Sequence, residues 1–204
     1  EGFVYGVAFS RDGARLVSTG YNKVARIWDL EPGRAHLVLR GHKGTVYSLA
    51  ISPDGKILAS AGWDKMVRLW DIASGKPLAV LKGHKDVVDG LAFAPDSNRL
   101  ASASRDRKIF IWNTRRKRVQ QVISGHEDAV YGVAFSPDGE LLASSCLDNS
   151  LFIWDAETGK KLLALKGHSN EVDNVAFSPD GKWLASASHD KTVRIFNPRS
   201  GEQI

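Results

Sequence analysis

Apolar residues in this chain fall in short runs separated by Gly, Asp, Asn and Ser. The first runs are Val4 to Phe9, Arg15 to Thr19, Val24 to Trp28 and His36 to Leu39, rich in β-branched and aromatic side chains and bounded by turn-forming residues. Runs of that length and composition predict strands, four to a unit. In later units the third run is apolar on successive residues, as in Val67 to Trp70 and Ile109 to Trp112, with Phe110 and Phe152 at positions that would be polar on a solvent-facing strand. Loss of alternation predicts strands covered on both faces, as in sheets stacked face to face.

The pattern repeats with a fixed step. Gly-His opens at Gly41, Gly83, Gly125 and Gly167, so successive starts lie 42 residues apart. A turn of Ser-Pro-Asp-Gly type follows at Ser52, Ser136 and Ser178, with Ser10-Arg11-Asp12-Gly13 and Ala94-Pro95-Asp96-Ser97 as variants in register. Trp28, Trp70, Trp112 and Trp154 keep the same step, and Phe196 takes the fifth place. A period of this size signals a repeat architecture. Five units are expected, at about 1–40, 41–82, 83–124, 125–166 and 167–204.

A Gly-His pair, a strand pattern, an Asp-bearing turn and a closing Trp-Asp, recurring together over the whole chain, resemble the WD-repeat family of β-propellers. The resemblance implies an all-β fold of four-stranded antiparallel blades, five of them present. Rings of that family usually have seven blades, with a strand from one terminus completing the blade at the other. Here the first unit lacks its Gly-His, Glu1 falling where one would end, and the last stops at Glu202-Gln203-Ile204, where its sisters begin a fourth strand. We therefore expect part of a larger ring or a self-associating unit rather than a closed five-bladed ring, because exposed edges and bare terminal repeats favour association.

Three units set His, Ser, Asp and Trp at constant spacing: His42, Ser60, Asp64 and Trp70; His84, Ser102, Asp106 and Trp112; His126, Ser144, Asp148 and Trp154. One such set would suggest a nucleophilic triad, but three copies point to structure. In the family the four residues form a buried hydrogen-bonded chain, with the indole N–H donating to serine. The end units are degenerate: the first has Asn22 for the aspartate, and the fifth keeps His168, Ser186 and Asp190 but ends on Phe196, which cannot donate. Both ends are expected to be softer.

The resemblance also implies where a partner docks: on the face carrying the Gly-His loops and the turns between second and third strands. Carried over position by position, the residues are Phe3, Tyr5 and Tyr21; Thr45, Tyr47 and Trp63; Val87, Asp89 and Arg105; Ala129, Tyr131 and Leu147; Glu171, Asp173 and His189. These differ from copy to copy while the tetrads converge, as a binding surface requires, and Tyr, Trp and Arg dominate interface energetics.

Composition narrows the rest. The single cysteine, Cys146, excludes a disulfide framework and is expected to leave no cysteine-based metal site; it stands where sister units carry Gly62, Ser104 and Ser188, and reads as a small structural residue. It fits a reducing compartment, so a cytoplasmic location is expected, with the nucleus also open. No apolar run reaches membrane-spanning length. No histidine–carboxylate cluster at ligand spacing and no Gly-rich phosphate loop is present, so no metal, cofactor or catalytic role is expected. The net charge of +5 is local: seven basic residues against one acid lie between Arg105 and Arg118. Arg105, Arg107 and Lys108 belong to one turn and Arg115, Arg116, Lys117 and Arg118 to a loop one strand away, on the opposite face. Trp112-Asn113-Thr114-Arg115 approaches the Trp-Asp-x-Arg of some ubiquitin-ligase receptors but lacks the acid. The expectation is a non-catalytic scaffold binding a protein or peptide. The alternatives are a nucleic-acid or acidic-ligand contact through the third unit, and a regulatory or sensor module of a larger signalling protein.

Overall fold

The computed structural model describes residues 2–31 and 36–204; Glu1 lies outside the described residues. Five antiparallel sheets follow one another along the chain. The first holds β1 (Val4–Phe9), β2 (Arg15–Gly20), β3 (Val24–Asp29) and β4 (Leu37–Arg40). The second holds β5 (Val46–Ile51), β6 (Ile57–Gly62), β7 (Val67–Asp71) and β8 (Pro77–Leu81). In the third are β9 (Val88–Phe93), β10 (Arg99–Ser104), β11 (Lys108–Asn113) and β12 (Arg118–Ser124). The fourth is β13 (Val130–Phe135), β14 (Leu141–Cys146), β15 (Leu151–Asp155) and β16 (Lys161–Leu165). The fifth has three strands, β17 (Val172–Phe177), β18 (Leu184–Ser188) and β19 (Val193–Phe196). An isolated bridge joins Phe196 to Gln203 at the place of a fourth strand.

Each sheet is a meander because each turn is short and has the chemistry to close. Between β5 and β6, the Ser52 hydroxyl donates to Asp54 and accepts from the Ile57 amide, while Gly55 takes a φ of 71° that costs other residues energy. Ser97 takes the same left-handed place between β9 and β10, with φ 59°.

The core lies between sheets rather than inside any one. Ala59, Ala61, Val67 and Leu69 of the second sheet pack on Val88, Leu91 and Trp112 of the third. Equivalent residues repeat that contact between first and second, third and fourth, and fourth and fifth sheets. Small alanines on the second strand let the next sheet approach, and the branched residues of the third strand fill the gap. Inner strands adjoin in the order β1, β5, β9, β13, β17, and the sheets do not close into a ring. The two outermost faces are therefore bare: Val7 and Phe9 are 64% and 65% exposed, whereas Val133 and Phe135, their counterparts in the fourth sheet, are 6% and 9% exposed.

Candidate interaction face

The inner strands carry an irregularity at the same place in every sheet. Val46 pairs with Gly62 and Ser48 with Ala61, so Tyr47 is skipped by the ladder. Tyr5, Asp89, Tyr131 and Asp173 are skipped in the same way. A bulge re-aims the extra side chain. These five residues, one per sheet, line a cavity of about 490 Å³ where the inner strands converge. The family resemblance implied all five, but not the bulge that turns them inward; its trace in the sequence is the glycine that follows at Gly6, Gly90 and Gly132.

A backbone hydrogen bond then ties the loop before each inner strand to the turn after its partner. The amides of Tyr21, Trp63, Arg105, Leu147 and His189 donate at 2.9 Å to the carbonyls of Phe3, Thr45, Val87, Ala129 and Glu171. The three positions taken from each unit are thereby held side by side. Phe3, Tyr21 and Trp63 are well exposed and Tyr5 half exposed; Thr45, Tyr47, Tyr131 and Leu147 are half-buried. Val87 and Ala129 do not reach the surface and act through their carbonyls alone.

Around the cavity mouth the units join into one constellation. Tyr5 meets Tyr47 edge to face with ring centres 5.1 Å apart. The Arg105 guanidinium donates twice to Asp89, at 2.9 and 3.1 Å, and sits 5.9 Å from the centre of the Tyr47 ring and 5.8 Å from that of Tyr131. Its hydrogen bonds to Asp89 raise the Arg105 pKa above the ordinary arginine value against the opposing effect of burial. Burial raises Tyr131, and the carboxylates of Glu171, Asp89 and Asp173 add to this while Arg105 opposes it. Across the mouth, His189 Nε2 lies 3.0 Å from Asp173 and Nδ1 4.0 Å from Glu171. One side of the face is thus aromatic, the other carries paired charges, and Arg105 links the two. That Arg105 would bridge two tyrosines of neighbouring sheets had no local signal in the sequence.

Behind this face the repeated tetrads hold the loops. His42 Nδ1 faces Asp64 at 3.0 Å and Nε2 faces the Ser60 hydroxyl at 2.8 Å, which also accepts the Trp70 indole N–H at 2.8 Å. The carboxylate fixes the tautomer: Nδ1 donates to it, and Nε2 accepts from serine. The same chain recurs through His84, Ser102, Asp106 and Trp112. In the fifth unit His168 reaches Asp190 and Ser186, but Phe196 leaves serine without the indole donor. In the first unit Trp28 donates to Ser18 at 2.9 Å, and the His36 ring stacks on its indole at 4.7 Å.

The fourth unit departs from the expected tetrad. His126 Nε2 meets Ser144 at 2.6 Å and Trp154 donates to the same oxygen, yet the Nδ1 partner is Ser150 at 3.1 Å, not Asp148. The thiol of Cys146 is larger than the serine hydroxyl found at this place in the third and fifth units; Asp148 turns to it and to the amides of Ser150 and Glu127. Burial, with a smaller contribution from Lys161, pushes His126 down to about 4 against the pull of Asp148. Burial pushes the Cys146 thiol up to about 12.

The fold also brings together potential metal donors that linear spacing keeps apart. His126, Cys146 and Asp148 form one group with ligand atoms within 4.8 Å of one another, and Glu171, Asp173 and His189 form another. Linear spacing gives no sign of either group because the partners come from a loop and a turn about half a repeat apart. No helix of the described residues is long and apolar enough to cross a membrane.

The model of the "WD domain, G-beta repeat" family matches residues 1–29, 33–71, 75–113, 117–155 and 159–197. A search of curated proteins returned no match.

Proposed function

Because the chain belongs to the WD-repeat family, whose repeats generally mediate protein–protein scaffolding, we propose that it is a non-catalytic platform binding a peptide segment of a partner protein across the face of Tyr5, Tyr47, Trp63, Arg105 and Tyr131. The observation that carries this reading is the set of five bulged residues aimed at one cavity, bordered by exposed aromatics. The tetrads use the histidines, serines and aspartates that could otherwise suggest catalysis. Aromatic and arginine side chains held by a rigid scaffold provide large contact area at little cost in conformational entropy.

A nucleic-acid contact through the third unit has less support. Arg105 is committed to Asp89, so it brings little free positive charge to the face. The bare outer faces support a second element of the reading, that further blades of the same kind, from a second copy or a longer chain, complete the assembly. A cytoplasmic or nuclear location belongs to the same proposal and rests on the lone cysteine.

Selection from a random peptide library tests the site. Wild type is expected to enrich a consistent motif whose binding changes little with salt, and the double variant Tyr47→Ala, Trp63→Ala, checked for an unchanged β spectrum, is expected to enrich none. Enrichment of the same peptides by the folded double variant refutes this placement, while a steep loss of binding with salt favours a phosphate-bearing ligand instead.

A further inference from the structure

Three different donors converge at the turn of the fourth sheet. A ring nitrogen of His126, the Cys146 sulfur and an Asp148 oxygen lie within 4.8 Å of one another, and His126 and Cys146 are buried. Among the described residues, no sister unit offers this set. Gly62, Ser104 and Ser188 stand in place of Cys146, and the aspartate of each of those units stays on its histidine, at 3.0, 2.9 and 2.7 Å. In the fourth unit the carboxylate has moved off the imidazole toward the sulfur, leaving Nδ1 on the Ser150 hydroxyl.

From this geometry we infer that His126, Cys146 and Asp148 bind a borderline-soft divalent cation of the Zn²⁺ class. Imidazole nitrogen, thiolate and carboxylate form a donor set that Zn²⁺ accepts, at bond lengths of about 2.0–2.3 Å with a fourth place for water. Tetrahedral ligands at such lengths lie roughly 3.3–3.8 Å apart, so the donors close on the ion by about 1 Å. The sulfur–metal bond forms as the thiol releases one proton to solvent, and the Asp128 carbonyl loses the thiol donor it holds at 3.3 Å. Thiolate, carboxylate and dication sum to no net charge, which limits the cost of burying them. The supports are in place: Ser144 orients the ring from Nε2, and the Ser150 and Glu127 amides hold Asp148. Lys161, whose charge opposes a cation here, lies on the face of the Phe152 ring at 4.0 Å.

Cobalt(II) titration of the whole chain, followed by absorption, provides the test. A thiolate-to-cobalt charge-transfer band saturating at one ion per chain, with one proton released and the band bleached by Zn²⁺, is expected. Cys146→Ser, which copies the residue of the third and fifth units and so keeps the fold, should lose the band and most of the affinity. Asp148→Asn should weaken binding by more than the roughly 10-fold typical of an outer-shell partner. The exposed Glu171, Asp173 and His189 set has no sulfur; His189→Ala removes its background without touching the band. Absence of a thiolate band in the folded wild type overturns the assignment. So does a cobalt affinity left unchanged when Cys146→Ser is added to the His189→Ala background.

Discussion

At the scale of single residues, what distinguishes this chain is how its repeated polar groups are satisfied. A buried imidazole between a carboxylate and a hydroxyl satisfies both ring nitrogens, and the carboxylate draws in two backbone amides besides; for Asp64 these come from Lys43 and Met66. Burial works against the Asp64 charge, but the His42 and amide hydrogen bonds outweigh it and hold its pKa below the ordinary 3.8; Asp106 is lowered for the same reasons. Asp190 is held lower still, chiefly by the Thr192 hydroxyl. A carboxylate with a depressed folded-state pKa contributes stability that is present above its unfolded value and is lost as pH falls through the folded one. Urea unfolding midpoints should therefore hold down to about pH 4 as far as these groups are concerned and then fall. Asp64→Asn should lower the midpoint at pH 7, and its deficit against wild type should shrink as pH drops below 3.8. A deficit that stays constant from pH 7 to pH 2 would show that the Asp64 charge contributes nothing.

At the scale of strands and turns, most of the architecture was legible before any coordinates. The step from Gly41 to Gly83 to Gly125 to Gly167 set the blades, and the unalternating Ile109 to Trp112 announced a strand covered on both faces. What stayed hidden depended on partners distant in sequence. Cys146 read as a small structural residue, and it does occupy the serine place, but its effect on Asp148 appears only when loop and turn meet. The bulges that turn Tyr5, Tyr47 and Tyr131 inward left no mark on the pattern of apolar runs, and their one trace is the glycine after Tyr5 and Tyr131. Turn chemistry, by contrast, is local and can be tested locally. Gly55 has φ 71°, and a Cβ there would meet nothing within 4 Å, so Gly55→Ala isolates backbone strain; we expect a loss of about 1 kcal/mol in denaturant unfolding. Ser97→Gly at the matching turn should gain less than that, since the serine hydroxyl also accepts the Asp54 amide at 3.2 Å. No loss on Gly55→Ala would mean that the turn relaxes out of the left-handed region.

At the scale of the molecule, the arc has two unlike ends, and each presents the half of an interface that is already formed four times inside it. The leading face offers Val7 and Phe9, whose counterparts Val133 and Phe135 are buried against the preceding sheet. The trailing face offers Val193, 67% exposed, where Val67, Ile109 and Leu151 are 0%, 1% and 1% exposed under the next sheet. Trp183, Ile195 and Ile204 extend that apolar surface into a hollow. A leading face fits a trailing face by the same small-and-branched packing that joins the internal sheets. Contact between copies would then be head to tail, a heterologous arrangement that grows with concentration unless rotation closes it. Apolar surface buried in this way contributes about 25 cal/mol per Å² before the costs of association. The 204-residue chain should accordingly show a light-scattering mass that rises with concentration. Either Phe9→Asp or Val193→Asp should suppress the rise, since each contact needs one face of each kind, and mixing the two variants should restore dimers through the unaltered faces but nothing larger. A constant monomer mass across the concentration range would mean that the end faces tolerate water, and the interaction face could then be assayed on the single chain.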